Sequence, residues 1–466
     1  MVFSSFAFLW IFLPIVLIGA LVTRKKGSNL FLLIMSLLFY AWGEPKFVVL
    51  LLFSITMNYV GGLLISAARS KSIRNLFLAV IIFSNLLLLA YFKYFNFFAD
   101  ILNNLLHQEI IPLRAIALPI GISFYTFQSI SYIADLYRGT IEVQRNWIDL
   151  ALYISFFPQL VAGPIVKYKD IAASLHSREL HLDETVKGLK RFCFGLAKKV
   201  LLANTLGYTV DEILSHPISD LSSLLCWTAA LFYTLQIYFD FSGYSDMAIG
   251  LAKVLGFHFQ ENFNLPYISS SIREFWRRWH ISLSTWFRDY LYIPLGGNRK
   301  GTARTLLNLC IVFFATGLWH GAQWNFVLWG LFHGAFLILE RLLPVRDTNN
   351  RIRSLLKHLY TLFIVCIGWV LFRADDLTMA AAQLRQMFFP AGNGYWNFWE
   401  IVDPVTFFIF IISLFLSLGF GRWLSTRFEN RGNREALSGA SAILCLFLSI
   451  VMLANASHNP FIYFRF

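Results

Sequence analysis

Apolar stretches close to the length of a bilayer crossing recur from one end of the chain to the other, and this repetition leaves few folds open. A membrane-spanning helix needs about 20 mostly apolar residues, because no backbone N–H or C=O can go unpaired in hydrocarbon. Read at that length, the sequence offers spans near 3–22, 28–43, 46–66, 76–98, 118–136, 148–166, 187–206, 222–239, 305–319, 322–340, 355–372, 404–420 and 437–455. Only 14% of the 466 residues are charged and 57% are hydrophobic, whereas an ordinary soluble chain carries about 25% charged residues. No long soluble stretch separates the spans. The expected fold is therefore all-α, a polytopic helical bundle forming one integral-membrane domain over residues 1–466. The segments LPIGISFYTFQSISYIADLYRG (118–139) and 187–206 are polar for their length and read as re-entrant or interfacial, leaving about eleven true crossings. The opening FAFLWIFLPIVLIGALV has its basic residues Arg24, Lys25 and Lys26 after the apolar run and no evident cleavage site, so it reads as a retained first span.

The formal net charge of +13 becomes informative once it is placed along the chain, since loops on the cytoplasmic side retain Lys and Arg. TRKK follows the first span, GEPK is a short turn after the second, and ARSKSIR follows the third, which predicts an outside N-terminus. Residues 341–358 (Arg341, Arg346, Arg351, Arg353, Lys357) and 421–435 (Arg422, Arg427, Arg431, Arg434) read as cytoplasmic. The acidic 375–403, with Asp375, Asp376, Glu400 and Asp403 against Arg385, reads as lying on the far side. Part of this charge meets anionic lipid. None of it argues for nucleic acid, because topology parcels it out along the chain instead of gathering it on one soluble face. The five cysteines stand singly, without CxxC or other metal spacing, so no metal site is expected.

Residues 238–304 depart furthest from an oily sequence. Written as one helix, 273–288 places Arg273, Arg277, His280, Ser284 and Arg288 at steps of four, three, four and four, forming a single polar stripe. Glu274 and Arg278 form an i,i+4 pair beside it. One reading is an amphipathic helix snorkelling its arginines to lipid phosphates. The other is a polyanion site, because a second basic loop, GGNRKGTAR (296–304), follows closely and brings Asn298, Arg299 and Lys300. Arg supplies a planar fork for phosphate, Lys a point charge and Gly-rich backbone a nest of donors. The P-loop spacing is absent, so nucleotide hydrolysis is unsupported.

A second anomaly is FATGLWHGAQW (314–324), where His320 ends an apolar run between Trp319 and Trp324. Ionisable residues inside membranes are costly and are mostly kept for function, although a neutral imidazole costs less than a charge. His320 reads either as a hydrogen-bonded core histidine or as a general base whose pKa lies near working pH. His333, on helical spacing, reads as a core or supporting residue. No GxSxG, HExxH or carboxylate dyad accompanies these histidines, so hydrolase and metalloprotease chemistry lack support.

Five strings, SFYTFQSISYIADLYRG (123–139), FFPQLVAGPI (156–165), YFDFSGYSDMAIGLAKVLGF (238–257), ENFNLPYISSSIREFWRRWHISLSTWFRDYLYIPLGGNR (261–299) and GLWHGAQWNFVLWGLFHG (317–334), together with the closing FIYFRF (461–466), resemble the membrane-bound O-acyltransferases. They are most similar to the bacterial branch that O-acetylates alginate and other exported polysaccharides. The resemblance implies a helical membrane bundle enclosing a tunnel, in the bacterial inner membrane. It makes His320 catalytic and His280 the second, upstream histidine. It further implies that a cytoplasmic acetyl thioester, acetyl-CoA in the expected case, is a co-substrate and not a bound cofactor. Arg273, Arg277, Arg288, Arg299 and Lys300 would hold its phosphates. His320 would deprotonate the acceptor hydroxyl, while His280 or a nearby Asn, Tyr or Trp donor steadies the oxyanion. Asp240, Tyr244, Asp246, Ser284, Asn298, Trp319, Trp324 and His333 would line or support the passage. The acceptor would be a cell-surface polysaccharide, reached directly or through a periplasmic acetyltransferase or esterase-like partner. The competing reading is a transporter or flippase for a lipid-linked or anionic substrate, with Asp240, Asp246, His280 and His320 as gating or proton-relay residues.

Overall fold

In a computed structural model the chain is helical, with no strand among the described residues, which are 1–23, 27–343, 350–390, 392, 394–427 and 431–455. Arg24, Lys25, Lys26, Arg346 and the closing FIYFRF lie outside the described residues, as do the side chains of Arg431 and Arg434. Among the described residues six helices are long and apolar enough to cross a membrane: Pro45–Ala67, Lys71–Leu106, Ser223–Val254, Gly301–His320, Arg351–Arg373 and Glu435–Ala454. Three shorter apolar helices, Phe8–Val22, Ser28–Gly43 and Pro404–Ser417, accompany them.

The segment expected to cross at 148–166 is not one continuous helix. It splits into Trp147–Ser155 and Phe157–Leu160 at Phe156, whose ψ of 114° is not helical. The hydroxyl of Ser36 takes up the Phe157 N–H at 3.1 Å, and Pro158 sits in the first turn of the new helix, where a missing N–H does no harm. The 187–206 segment belongs to a longer helical run, Leu182–Ala197 continuing through a π-turn at Lys198–Ala203 into Asn204–Ser215. The polar segment near 118–139 is a helix, Ile122–Tyr137, in which every residue except Ala134 and Tyr137 is buried. Its polarity is tolerated because protein, not lipid, surrounds it.

The chain resolves into two compact units, residues 1–192 with 247–260, and residues 193–246 with 261–466. In the first, Phe3, Phe8, Phe12, Phe39 and Phe157 interlock as an aromatic core. Asn58 and Asn85 exchange amide hydrogen bonds of 3.0 and 2.9 Å between neighbouring apolar helices, the kind of polar contact that holds helices together in lipid. In the second, the helices Gly301–His320 and Trp324–Leu342 run antiparallel at backbone contact. A Cβ placed on Gly317 would lie 2.3 Å from the Phe326 carbonyl oxygen, and one on Gly330 would lie 2.3 Å from that of Phe313. Only glycine permits this approach, and it fixes where both helices present their histidines.

Candidate active site

Gly301–His320 is an uninterrupted 20-residue helix, so its two ends stand roughly 30 Å apart at about 1.5 Å per residue. Its first turns are tied to the preceding loop, with Asn308 Nδ2 donating to the Gly297 carbonyl at 2.9 Å. Its last residue is His320, after which Gly321 is extended and the chain turns back. The basic loop Asn298, Arg299 and Lys300, exposed throughout, is thus at one end of the helix and His320 at the other.

His320 is buried. Its ring packs against Trp319, Trp329 and Phe372, with centroids at 4.9, 5.0 and 5.1 Å. Trp329, not the expected Trp324, supplies the second indole. Trp324, the first residue of its helix, is 53% exposed. Phe372 also borders a cavity of about 300 Å³ lined by Tyr233, Gln323, Phe326, Arg373, Ala374 and Asp375. Arg373 is held there by Asp211 at 2.6 Å. Asn325 Nδ2 donates to the Ala374 carbonyl at 2.7 Å, joining the helix that begins at Trp324 to the end of Arg351–Arg373.

His280 arrives on a different element. Residues 273–288 do not form the single helix expected from their spacing. They make two short helices, Ile272–Arg278 and Ile281–Phe287, followed by a π-turn at Arg288–Tyr292. His280 lies between them with φ 43° and ψ 56°, a left-handed conformation that no helix can accommodate. The first helix starts at the level of Glu340, whose carboxylate accepts from the Ile272 and Arg273 N–H groups at 2.6 and 3.1 Å. The second returns to Gly297, beside Asn308. The segment is therefore a re-entrant hairpin with His280 at its tip. The proposed five-residue stripe is broken accordingly: Arg273 and Arg277 are exposed on the inbound limb, His280 is turned inward, Ser284 is half-buried, and Arg288 is exposed and paired with Asp289 at 2.7 Å. The Glu274–Arg278 pair is present at 2.8 Å.

At the tip, His280 packs edge-on against Phe241 at 4.6 Å and meets Trp319 at 6.1 Å. Trp319 thus contacts both imidazoles. Asn262, fully buried, holds the tip from below: its Oδ1 receives the Ser282 N–H at 3.2 Å and the Ser282 hydroxyl at 2.9 Å, and lies 3.1 Å from His280 Nδ1. Its Nδ2 donates to Ser245 Oγ at 3.1 Å. Trp276 on the inbound limb reaches His333 at 5.1 Å and Trp329 at 5.6 Å, so His333 belongs to the same aromatic cluster. Gly368 leaves it room, since a Cβ there would lie 2.5 Å from His333 Nε2. Asp240 and Asp246 are met by lysines: Asp240 pairs with Lys199 at 2.8 Å with both side chains buried, and Asp246 with Lys198 at 2.5 Å. Tyr244 is buried on the helix they share.

Several contributors escape a reading by motif. Trp329 shares a face with Phe326 and His333 at helical spacing and was findable that way. Asn262, Phe372 and Arg373 give no local signal, because their partners lie far along the sequence. Among the described residues no cluster of three or more His, Cys, Asp or Glu side chains could hold a metal ion.

Residues 141–371, which include all three of these histidines, match the model of the membrane-bound O-acyltransferase family. The chain is 42% identical to a probable alginate O-acetylase of Pseudomonas putida over 100% of both chains. It is 35% identical to a peptidoglycan O-acetyltransferase of Helicobacter pylori over 83% of this chain and 80% of that one. It is 27% identical to a teichoic acid D-alanyltransferase of Bacillus subtilis over 54% of this chain and 68% of that one. These likenesses favour an acyl-transferring enzyme over a carrier. The chain belongs to the membrane-bound O-acyltransferase family, in the branch of the bacterial alginate O-acetylases.

Proposed function

We propose that this enzyme takes an acetyl group from a cytoplasmic thioester, acetyl-CoA, and passes it across the bacterial inner membrane for O-acetylation of an exported or cell-wall polysaccharide. The observation that carries the reading is that two buried histidines, His280 and His320, both pack against Trp319. One stands on a hairpin whose inbound limb exposes Arg273 and Arg277, with the exposed Arg299 on the loop that follows. The other stands at the far end of a 20-residue helix beside a polar-rimmed cavity. The names borne by the relatives support acetyl transfer to alginate or peptidoglycan as the chemistry.

In this reading Arg273, Arg277, Arg288, Arg299 and Lys300 hold the donor's phosphates on the cytoplasmic side, and the acyl arm reaches inward along the hairpin. An acceptor hydroxyl, from the glycan or from a periplasmic partner protein, enters through the cavity beside Phe372. His320 removes its proton as the oxygen attacks the thioester carbonyl, and the thiol leaves with a proton. Trp329 is suited to steady the oxyanion: its indole N–H is buried, stands on a ring 5.0 Å from His320, and has no hydrogen-bond partner among the described residues. The aromatic walls exclude the water that would hydrolyse the thioester.

The test is transfer from labelled acetyl-CoA by protein in lipid nanodiscs, with and without an oligosaccharide acceptor and the partner. Thioester cleavage that depends on His320 is the expected result. Full cleavage by His320→Ala, or substrate movement without cleavage, overturns the reading.

A further inference from the structure

The contacts of Asn262 decide which nitrogen of His280 carries the proton. One atom of the amide group faces the Ser282 backbone nitrogen at 3.2 Å. A backbone N–H only donates, so that atom is the carbonyl oxygen and the amide cannot be flipped. The same oxygen lies 3.1 Å from His280 Nδ1, and an amide oxygen only accepts. Nδ1 is therefore the N–H, and in the neutral ring Nε2 presents a bare lone pair. His280 is 1% exposed, and its Nε2 has no hydrogen-bond partner among the described residues. A buried acceptor left in this state is a cost to the fold unless something donates to it.

We propose that Asn262 is a positioning residue that holds His280 in the Nδ1–H form, and that Nε2 receives a hydrogen bond from an N–H or O–H of a substrate. This reverses the oxyanion-donor role expected of His280 from the sequence, and it rests on reading the site as one of acyl transfer. Ser245 anchors the amide from behind, so the helix Ser223–Val254 sets the tautomer as well as the ring contact through Phe241. The charged groups on the packed elements are engaged with one another: Asp240 with Lys199, Asp246 with Lys198, and Glu274 with Arg278. The other titratable groups at hand are Tyr244 on that helix, Glu261 next to Asn262 and exposed, and His320, which also packs against Trp319.

The substitution Asn262→Asp keeps an acceptor for Nδ1 and for Ser282 but adds a negative charge, which favours the imidazolium. An imidazolium accepts nowhere. Below the new His280 pKa, acyl transfer by this variant should fall about tenfold per pH unit relative to the wild type at the same pH, and above it the two should share the dependence that His320 gives both. A donor role for His280 gives the opposite sign, with activity rising as pH falls. That result, or a profile that follows the wild type, overturns the proposal. The tautomer is also read without turnover, from 15N-histidine-labelled wild type in nanodiscs with His280 assigned by difference against His280→Gln. The proton should be found on Nδ1. If it is on Nε2 the proposal fails whatever the activity, whereas a wild type that cleaves no acetyl thioester defeats the acyl-transfer reading alone.

Discussion

His280 and His320 both meet the indole of Trp319, yet the regions that hold them differ in kind. The hairpin tip is a break in regular structure, with a left-handed residue, short helices and an amide anchor beneath. The end of Gly301–His320 is the last turn of a continuous helix, and three aromatic rings surround its imidazole. Ring packing sets where an imidazole stands. A hydrogen bond to an oxygen of known identity also sets which nitrogen is protonated. Position and proton placement are thus supplied by separate devices, and each can be broken without the other.

The largest effect should come at the packed end. His320→Ala should lower acetyl transfer by about 10²- to 10⁴-fold while the protein still folds, measured as label released from the donor. A wild-type rate would make the two regions functionally alike and remove the distinction. Next, Trp329→Phe keeps a ring beside His320 but deletes the indole N–H, and kcat should drop about 100-fold with KM little changed. If kcat holds, Trp329 contributes packing alone. On the amide-anchored side, Asp240→Asn should act through stability, because it leaves Lys199 buried without its counter-charge. A loss of about 3 kcal/mol in detergent unfolding is expected, against about 1 kcal/mol or less for Asp246→Asn, whose pair is partly exposed. Equal losses would show that burial of the ion pair does not govern this helix. The smallest change is expected at the rim, where Arg277→Gln or Arg288→Gln should raise the donor KM about threefold to tenfold at unchanged kcat, an effect that shrinks with added salt.

Much of this was legible before any coordinates. Apolar run length located several of the long helices to within a few residues, as at 46–66 against Pro45–Ala67 and 355–372 against Arg351–Arg373, but it ended both Lys71–Leu106 and Ser223–Val254 too early, at 98 and 239. Polarity alone misleads about depth. The more polar Ser223–Val254 is 83% buried over its apolar window, whereas the oilier Lys71–Leu106 is 17% buried, because polar side chains need protein partners while apolar ones can face lipid. The 273–288 stripe failed for a related reason. Spacing reports which residues would share a face if the helix continued, and nothing local reveals that an amide 18 residues upstream of His280 stabilises a break in it. Nearness in sequence points to Trp324 as the neighbour of His320, whereas the helix reversal at Gly321 brings the later indole of Trp329 back onto the imidazole.

By itself the sequence determined the solvent the chain lives in, the helical class and the family, and it singled out two histidines that the fold then brings to one indole. These follow from run length, charge placement and long shared strings, which are properties of the chain in order. Only the tertiary structure decided that Trp319 lies against both imidazoles, that Trp329 and Phe372 complete the cage, that Asp240 answers to Lys199, and that Asn262 sets the proton on His280. Those depend on directed, short-range contacts between residues far apart in the chain, and a hydrogen bond or ring contact has no signature until the backbone has brought its partners within reach.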